Sequence, residues 1–290
     1  VVRGQVSFAP PVDLPVGSLL EDGAIVDFNG DPFPDIVVRD RWPRSYVLIN
    51  RGNGQFLAPL TLPAFDTFIL AADFDGDSDD DALFYVGYHS SPGATGNAYI
   101  LENDGTGVPS VRHDLLGVGG ALAAGDIDGD GDIDLVGRVP TDSFSPPSGI
   151  LIARNLGAFS FQFSTQPMAM FFNVPMQSRL ADMDGDSDLD LIVAGTSSAY
   201  PITWSQMPTT AVHLNLGNGI FANTPWSAWF ATSIEIGDMD GDSDLDVLGT
   251  VIGQTTGLYS QTVVGVALNN GNGTLTVPAY SNSIVTDAGA

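Results

Sequence analysis

Asp182-Met-Asp-Gly-Asp-Ser-Asp-Leu-Asp190 returns unchanged, residue for residue, at Asp238-Met-Asp-Gly-Asp-Ser-Asp-Leu-Asp246. Three relatives precede the pair: Asp27-Phe-Asn-Gly-Asp-Pro-Phe-Pro-Asp35, Asp73-Phe-Asp-Gly-Asp-Ser-Asp-Asp-Asp81 and Asp126-Ile-Asp-Gly-Asp-Gly-Asp-Ile-Asp134. A period of roughly fifty residues marks a repeat architecture and is read before any local feature. Each loop is followed by Asn-x-Gly, at Asn50-Arg-Gly52, Asn103-Asp-Gly105, Asn155-Leu-Gly157, Asn215-Leu-Gly217 and Asn269-Asn-Gly271. Asn and Gly tolerate positive φ, so these read as tight turns between strands. In four copies another Gly follows two residues later; the third copy departs with Phe159.

The stretches between these motifs are short, apolar and β-branched, such as Leu189-Asp-Leu-Ile-Val193 and Val247-Leu-Gly-Thr-Val251. They predict strands bounded by turns, and no segment holds a helical period over three turns. Each repeat then reads as strand A, Asp loop, strand B, variable loop, strand C, Asn-Gly turn, strand D. Four antiparallel strands in that length is one blade, so the expected fold is all-β, a β-propeller. The repeats run approximately over 17–63, 64–116, 117–172, 173–228 and 229–285. A partial repeat is expected over 1–16, because Gly4-Gln-Val-Ser-Phe8-Ala-Pro10 matches Gly54-Gln-Phe56-Leu-Ala-Pro59. We expect one propeller domain over 1–290, either closed with help from the N-terminal half-blade or part of a longer array.

The loop chemistry points to a hard cation. Position 1 is Asp27, Asp73, Asp126, Asp182 and Asp238; position 3 is Asn29, Asp75, Asp128, Asp184 and Asp240. Position 5 is Asp31, Asp77, Asp130, Asp186 and Asp242, and position 9 is Asp35, Asp81, Asp134, Asp190 and Asp246. Position 7, where a backbone carbonyl suffices, is Phe33, Asp79, Asp132, Asp188 and Asp244. Two carboxylates about 4 Å apart repel by about 4 kcal/mol at an effective dielectric of 20. Clustering four or five without a cation opposes loop closure, and oxygen ligands in that number suit calcium better than magnesium. About five structural calcium ions are therefore expected, the first copy being weakest because of Asn29 and its prolines. An EF-hand fails as an alternative: Gly stands at position 4 rather than 6, no Glu falls at 12, and strands flank the loop.

The Asp-x-Asp-Gly-Asp-x-x-x-Asp loop followed by Leu-Asn-x-Gly-x-Gly-x-Phe resembles the FG-GAP/VCBS repeat family, whose members include integrin α-subunit propellers and many bacterial surface proteins. The resemblance covers nearly the whole chain. It implies calcium in the strand A–B hairpin in a structural role and an extracellular, secreted or cell-surface location. Propellers of the family mostly have seven blades, so five full copies leave the blade count open.

Composition narrows the partners. Of 290 residues, 43% are hydrophobic, with 9 Lys+Arg against 35 Asp+Glu and a net charge of −26. The basic residues are all Arg, and the acids are Asp apart from Glu21, Glu102 and Glu235. Nothing here can neutralise a run of phosphates, so nucleic acid is excluded as a partner. No apolar run is long enough to insert into a membrane as a helix. Cysteine is absent, which removes disulfides and thiolate metal sites.

In a four-stranded blade the Asp loops and Asn-Gly turns share one face, and the B–C and D–A loops share the other. The variable loops are the expected recognition face, for a protein or glycan at the cell surface or for contacts within a surface assembly. Ligand candidates there are Arg41, Trp42, Arg44, Tyr88, His89 and Trp204. The expected function is a calcium-stabilised binding or adhesion propeller, not an enzyme. The alternative is a propeller-type polysaccharide lyase or hydrolase, or a lectin. His89, His113 and His213 are isolated, and no catalytic motif accompanies them.

Overall fold

The computed structural model describes residues 13–17, 20–40, 44–62, 67–86, 97–105, 111–118, 121–139, 149–167, 172–197, 207–223, 226–229, 233–252, 262–276 and 279–280. Every regular element among them is a strand. Among the described residues no helix is long and apolar enough to cross a membrane.

Among the described residues, twenty strands form five four-stranded antiparallel sheets, each built from four consecutive strands. Blade 1 holds β1 (Leu20–Val26), β2 (Asp35–Asp40), β3 (Ser45–Leu48) and β4 (Leu60–Thr61). Blade 2 holds β5 (Thr67–Ala72), β6 (Asp81–Val86), β7 (Asn97–Glu102) and β8 (Val111–Leu116). Blade 3 holds β9 (Ala121–Gly125), β10 (Asp134–Arg138), β11 (Gly149–Asn155) and β12 (Phe161–Pro167). Blade 4 holds β13 (Phe172–Ala181), β14 (Asp190–Ser197), β15 (Met207–His213) and β16 (Trp226–Trp229). Blade 5 holds β17 (Ser233–Gly237), β18 (Asp246–Ile252), β19 (Thr262–Ala267) and β20 (Ala279–Tyr280). The blades are arranged as a β-propeller. Its innermost strands touch in series, β1 to β5, β5 to β9, β9 to β13 and β13 to β17.

Each Asp loop is the turn of the first hairpin. Position 9 pairs with the residue before position 1, as Val26 with Asp35, Ala72 with Asp81, Gly125 with Asp134, Ala181 with Asp190 and Gly237 with Asp246. The period-2 alternation of strand side chains then sends one set of residues towards the preceding blade and the other towards the following one. Four apolar clusters result, one at each seam between consecutive blades. Val37 and Val47 of blade 1 meet Phe84 and Tyr99 of blade 2, where the two rings stack at 5.3 Å. Leu83 and Ile100 meet Leu135 and Leu151 of blade 3. Val136 and Ile152 meet Leu191 and Ala211 of blade 4. Ile192 and Val212 meet Val247 and Ala267 of blade 5. Parts of this core come from the loops themselves, since position 2 (Phe28, Phe74, Ile127, Met183) is at most 1% exposed at each of these seams.

Candidate metal centres and the inter-blade latch

Position 9 anchors the site. Asp35, Asp81, Asp134 and Asp190 are fully buried and Asp246 nearly so. Each uses both oxygens on backbone N–H groups. One accepts from position 2 of its own loop: Phe28 at 3.0 Å, Phe74 at 3.0 Å, Ile127 at 3.2 Å, Met183 at 2.8 Å and Met239 at 2.8 Å. The other accepts from the Asn of the following turn: Asn50 at 2.6 Å, Asn103 at 2.8 Å, Asn155 at 2.7 Å, Asn215 at 2.7 Å and Asn269 at 2.8 Å. A buried carboxylate without such donors would be prohibitively costly.

The Asn then reaches across the seam. Its amide donates to the position 2 carbonyl of the preceding blade, Asn103 to Phe28 at 2.6 Å, Asn155 to Phe74 at 2.7 Å, Asn215 to Ile127 at 2.8 Å and Asn269 to Met183 at 2.6 Å. The Asn-x-Gly motif is thus more than a turn. Its Asn is the latch between blades, a role the turn chemistry alone did not reveal. The fixed partnership of a loop Asp with an Asn further along the same repeat was its sequence signal.

Position 1 folds the loop over itself. In copies 2 to 5 one oxygen accepts the N–H of position 4 (Gly76, Gly129, Gly185, Gly241), at 2.7 Å in every case. The other accepts position 6, from Ser78 at 2.9 Å, Gly131 at 3.0 Å, Ser187 at 2.9 Å and Ser243 at 3.1 Å. Position 6 takes the left-handed conformation, with φ of 81°, 94°, 77° and 81°. Copy 1 has Pro32 there, which supplies no N–H and cannot adopt positive φ. Asp27 instead donates its N–H to Asp80 of blade 2 at 2.9 Å, and Asn29 bonds Asp31 at 2.8 Å.

The consequence is four acidic triads: Asp73, Asp75 and Asp81; Asp126, Asp128 and Asp134; Asp182, Asp184 and Asp190; Asp238, Asp240 and Asp246. Within each, one carboxylate oxygen per residue lies within 4.8 Å of the others. Positions 1, 3 and 9 therefore converge in copies 2 to 5. Positions 5 and 7 stand outside the triads. Asp77, Asp130, Asp186 and Asp242 cap the N–H of position 7 at 2.9 to 3.0 Å. At position 7, Asp79 presses against Gly30 and Gly105, and Asp244 against Gly271. In copy 1 the carboxylates of Asp27, Asp31 and Asp35 do not converge into such a triad, and Phe33 is 40% exposed, its ring lying over Gly52.

The triads fit a cation on more than proximity. Oδ1 of Asp128 and Oδ1 of Asp184 are buried and accept no hydrogen bond. Burial, with repulsion from neighbouring carboxylates, raises the pKa of Asp75, Asp128 and Asp184. Desolvation pushes Asp81 up to about 7, and Asp134 and Asp190 to about 6, against the stabilising backbone donors. A hard cation relieves each of these costs at once. The sites are not equivalent. Glu102 adds negative charge beside Asp75, while Arg154 places its Nε 3.2 Å from Asp128.

Of the ligand-face candidates, Arg44 is described: it is exposed and its N–H bonds Asp40 at 3.2 Å. Arg41, Trp42, Tyr88, His89 and Trp204 lie outside the described residues. His213 is fully buried, with Nδ1 2.9 Å from the Ala222 carbonyl, and burial lowers its pKa. His113 pairs with Glu102 at 2.6 Å and stacks on Phe159 at 4.0 Å.

A family model described as FG-GAP-like repeat matches residues 27–84 and 182–249. The matched segments include the Asp loops of blades 1, 2, 4 and 5. The loop of blade 3 lies between them and shares the spacing. The search of curated proteins returns no match.

Proposed function

We propose that this propeller of FG-GAP-like repeats is a calcium-stapled binding module that works outside the cell and presents its B–C and D–A loops to a protein or glycan. The observation that carries the calcium assignment is the recurrence of one all-oxygen triad in four successive blades. Two of the triads hold a buried carboxylate oxygen with no partner. Bound calcium supplies positive charge that lets the buried carboxylates stay ionised. The chain supplies the rest: position 9 fixes the hairpin and the Asn latch, and position 1 fixes the loop, so three carboxylates are held convergent before the ion arrives.

Several oxygen donors in a compact loop match calcium, whereas magnesium keeps more of its water and takes fewer carboxylates. Modules of weak calcium affinity are filled at extracellular calcium levels and emptier inside cells, which supports the location. The acidic loops lie at the end of the blades that carries the Asn-Gly turns. Recognition is accordingly assigned to the opposite end, and the ions to scaffolding. The test is a thermal melt of chelated protein with calcium or magnesium added back, followed by a glycan array and cell-surface binding with the calcium-loaded form. A large upward shift with calcium, a smaller one with magnesium, and binding lost on chelation are expected. A melting temperature indifferent to chelation would remove the calcium scaffold; surface binding that survives chelation unchanged would separate recognition from it.

A further inference from the structure

The residue just before the latch Asn is Ile49, Glu102, Arg154, Leu214 and Leu268 in blades 1 to 5. Its main chain is tied to the Asp loop, because the next N–H, that of the Asn, is donated to position 9 in every blade. In blades 2 to 4 its side chain also reaches across the seam, to the Asn-Gly turn of the following blade. Leu214 packs on Gly273 of blade 5. Arg154 donates from Nη2 to the Asn218 carbonyl of blade 4 at 2.6 Å, beside Gly219. Glu102 spans the same gap with His113, whose Nε2 lies 2.6 Å from its Oε2 and whose ring stacks on Phe159 of blade 3 at 4.0 Å. Phe159, Gly219 and Gly273 are each the fourth residue after their latch Asn. The stack gives Phe159 a use where the other four turns have glycine.

Held at both ends, these side chains bring different charges to one place, the flank of position 3. Arg154 Nε is 3.2 Å from Oδ2 of Asp128. Glu102 acts on Asp75 with the opposite sign. Arg112, close by in sequence to His113, is taken up by Asp114 at 2.7 Å. Blades 4 and 5 have leucine at this position and add no charge. The charged pair is largely buried, with side chains 24% exposed for Arg154 and 28% for Glu102, so solvent and salt screen them weakly. Glu102 is not one of the convergent carboxylates of blade 2, so it acts through charge rather than ligand number. Calcium loops of similar geometry differ in affinity by the charge gathered around the ion.

We infer that the residue before the latch Asn sets the calcium affinity of its blade, so that the four triads fill in stages: blade 2 first, blades 4 and 5 next, and blade 3 last. This rests on the calcium reading of the triads and adds an order to it. In blade 3 the ion competes with Arg154 for the charge of Asp128; in blade 2 Glu102 adds to the attraction. Loop 3 is then the site that empties first as calcium falls.

The experiment is calorimetric calcium titration of the chelated chain at pH 8 and low ionic strength, with one triad disabled at a time. Three affinity classes are expected, separated by about tenfold each, equivalent to about 1.4 kcal/mol per step. Asp75→Asn should remove the tight class, Asp184→Asn one equivalent of the middle class and Asp128→Asn the weak class. Glu102→Gln, which keeps the side-chain shape, should weaken the tight class about tenfold. Arg154→Leu should move the weak class up to the middle, whereas Arg154→Lys, which keeps the charge, should leave it the weakest. Circular dichroism of the calcium-loaded variants checks folding. Four sites of equal affinity, Asp75→Asn and Asp128→Asn removing the same class, or Arg154→Lys behaving as Arg154→Leu would each overturn the proposal and leave the calcium reading standing. No saturable uptake at all would overturn both.

Discussion

Replacing Asn215 by Ala should be among the most damaging single changes in this protein, although the residue touches no candidate ion. The Asn215 amide donates to the Ile127 carbonyl of blade 3 at 2.8 Å and, less directly, to the Leu189 carbonyl at 3.3 Å. Its Oδ1 accepts the Gly217 N–H at 3.1 Å. Truncation removes these bonds and leaves the Ile127 carbonyl unpaired, in a seam where the Ile127 side chain is 1% exposed. A typical hydrogen bond contributes about 1 kcal/mol net, and an orphaned buried partner costs about 1–3 kcal/mol more, so a loss of about 3 kcal/mol is expected. Asn50→Ala is the internal control. It removes the same side chain and preserves the same N–H to position 9, but its amide bonds only its own blade, so about 1 kcal/mol is expected. Chemical denaturation of both variants with calcium present measures the difference, and hydrogen exchange should localise the Asn215 effect to blades 3 and 4. Equal losses for Asn50→Ala and Asn215→Ala would refute the latch between blades.

Other outcomes follow from the same geometry. Without calcium, Asp81 titrates near pH 7 and Asp134 and Asp190 near pH 6 in the folded chain, against about 3.9 when unfolded. The folded state then holds protons the unfolded state has released, so this contribution to stability is full below about pH 4 and lost as pH rises through 6 to 7. Calcium reverses the preference, so the melting-temperature gap between calcium-loaded and chelated protein should widen from pH 5 to pH 8. A gap constant across that range would contradict the burial of these carboxylates. Arg154→Leu removes the cation 3.2 Å from Asp128 and should tighten calcium at that loop by about tenfold, the equivalent of about 1.4 kcal/mol. It should also lower stability by about 1 kcal/mol through the lost bond to Asn218; unchanged calcium affinity in titration would show that Arg154 does not act on the site. Ser187→Gly relieves a φ of 77° while keeping the N–H to Asp182, and should raise stability by up to about 1 kcal/mol, read as a higher denaturation midpoint.

Much of this architecture was legible because the repeat is written twice over, in Asp loops whose clustered carboxylates call for charge compensation and in Asn-x-Gly turns whose positive-φ glycines end a strand. The difference between copy 1 and the rest was partly legible. Asn29 and the prolines marked the first loop as weak, but the reason is the missing N–H and negative φ of Pro32, which prevent Asp27 from wrapping the loop as Asp182 does. The Asn latch was hidden because it joins residues of neighbouring repeats, such as Asn215 and Ile127, and a repeat-by-repeat reading sees only what lies inside one blade. The separation of positions 1, 3 and 9 from 5 and 7 was equally hidden. Alternating Asp residues look alike in sequence, whereas the left-handed residue at position 6 sends Asp188 towards Gly217 and away from the triad.

Calcium titration of the chelated chain by calorimetry decides whether the acidic triads hold ions. Four triads predict four equivalents of bound calcium, with the blade 1 loop silent, and one equivalent fewer in Asp184→Asn, together with a stability that rises with occupancy. No saturable calcium uptake, or a stoichiometry untouched by Asp184→Asn, would contradict the account.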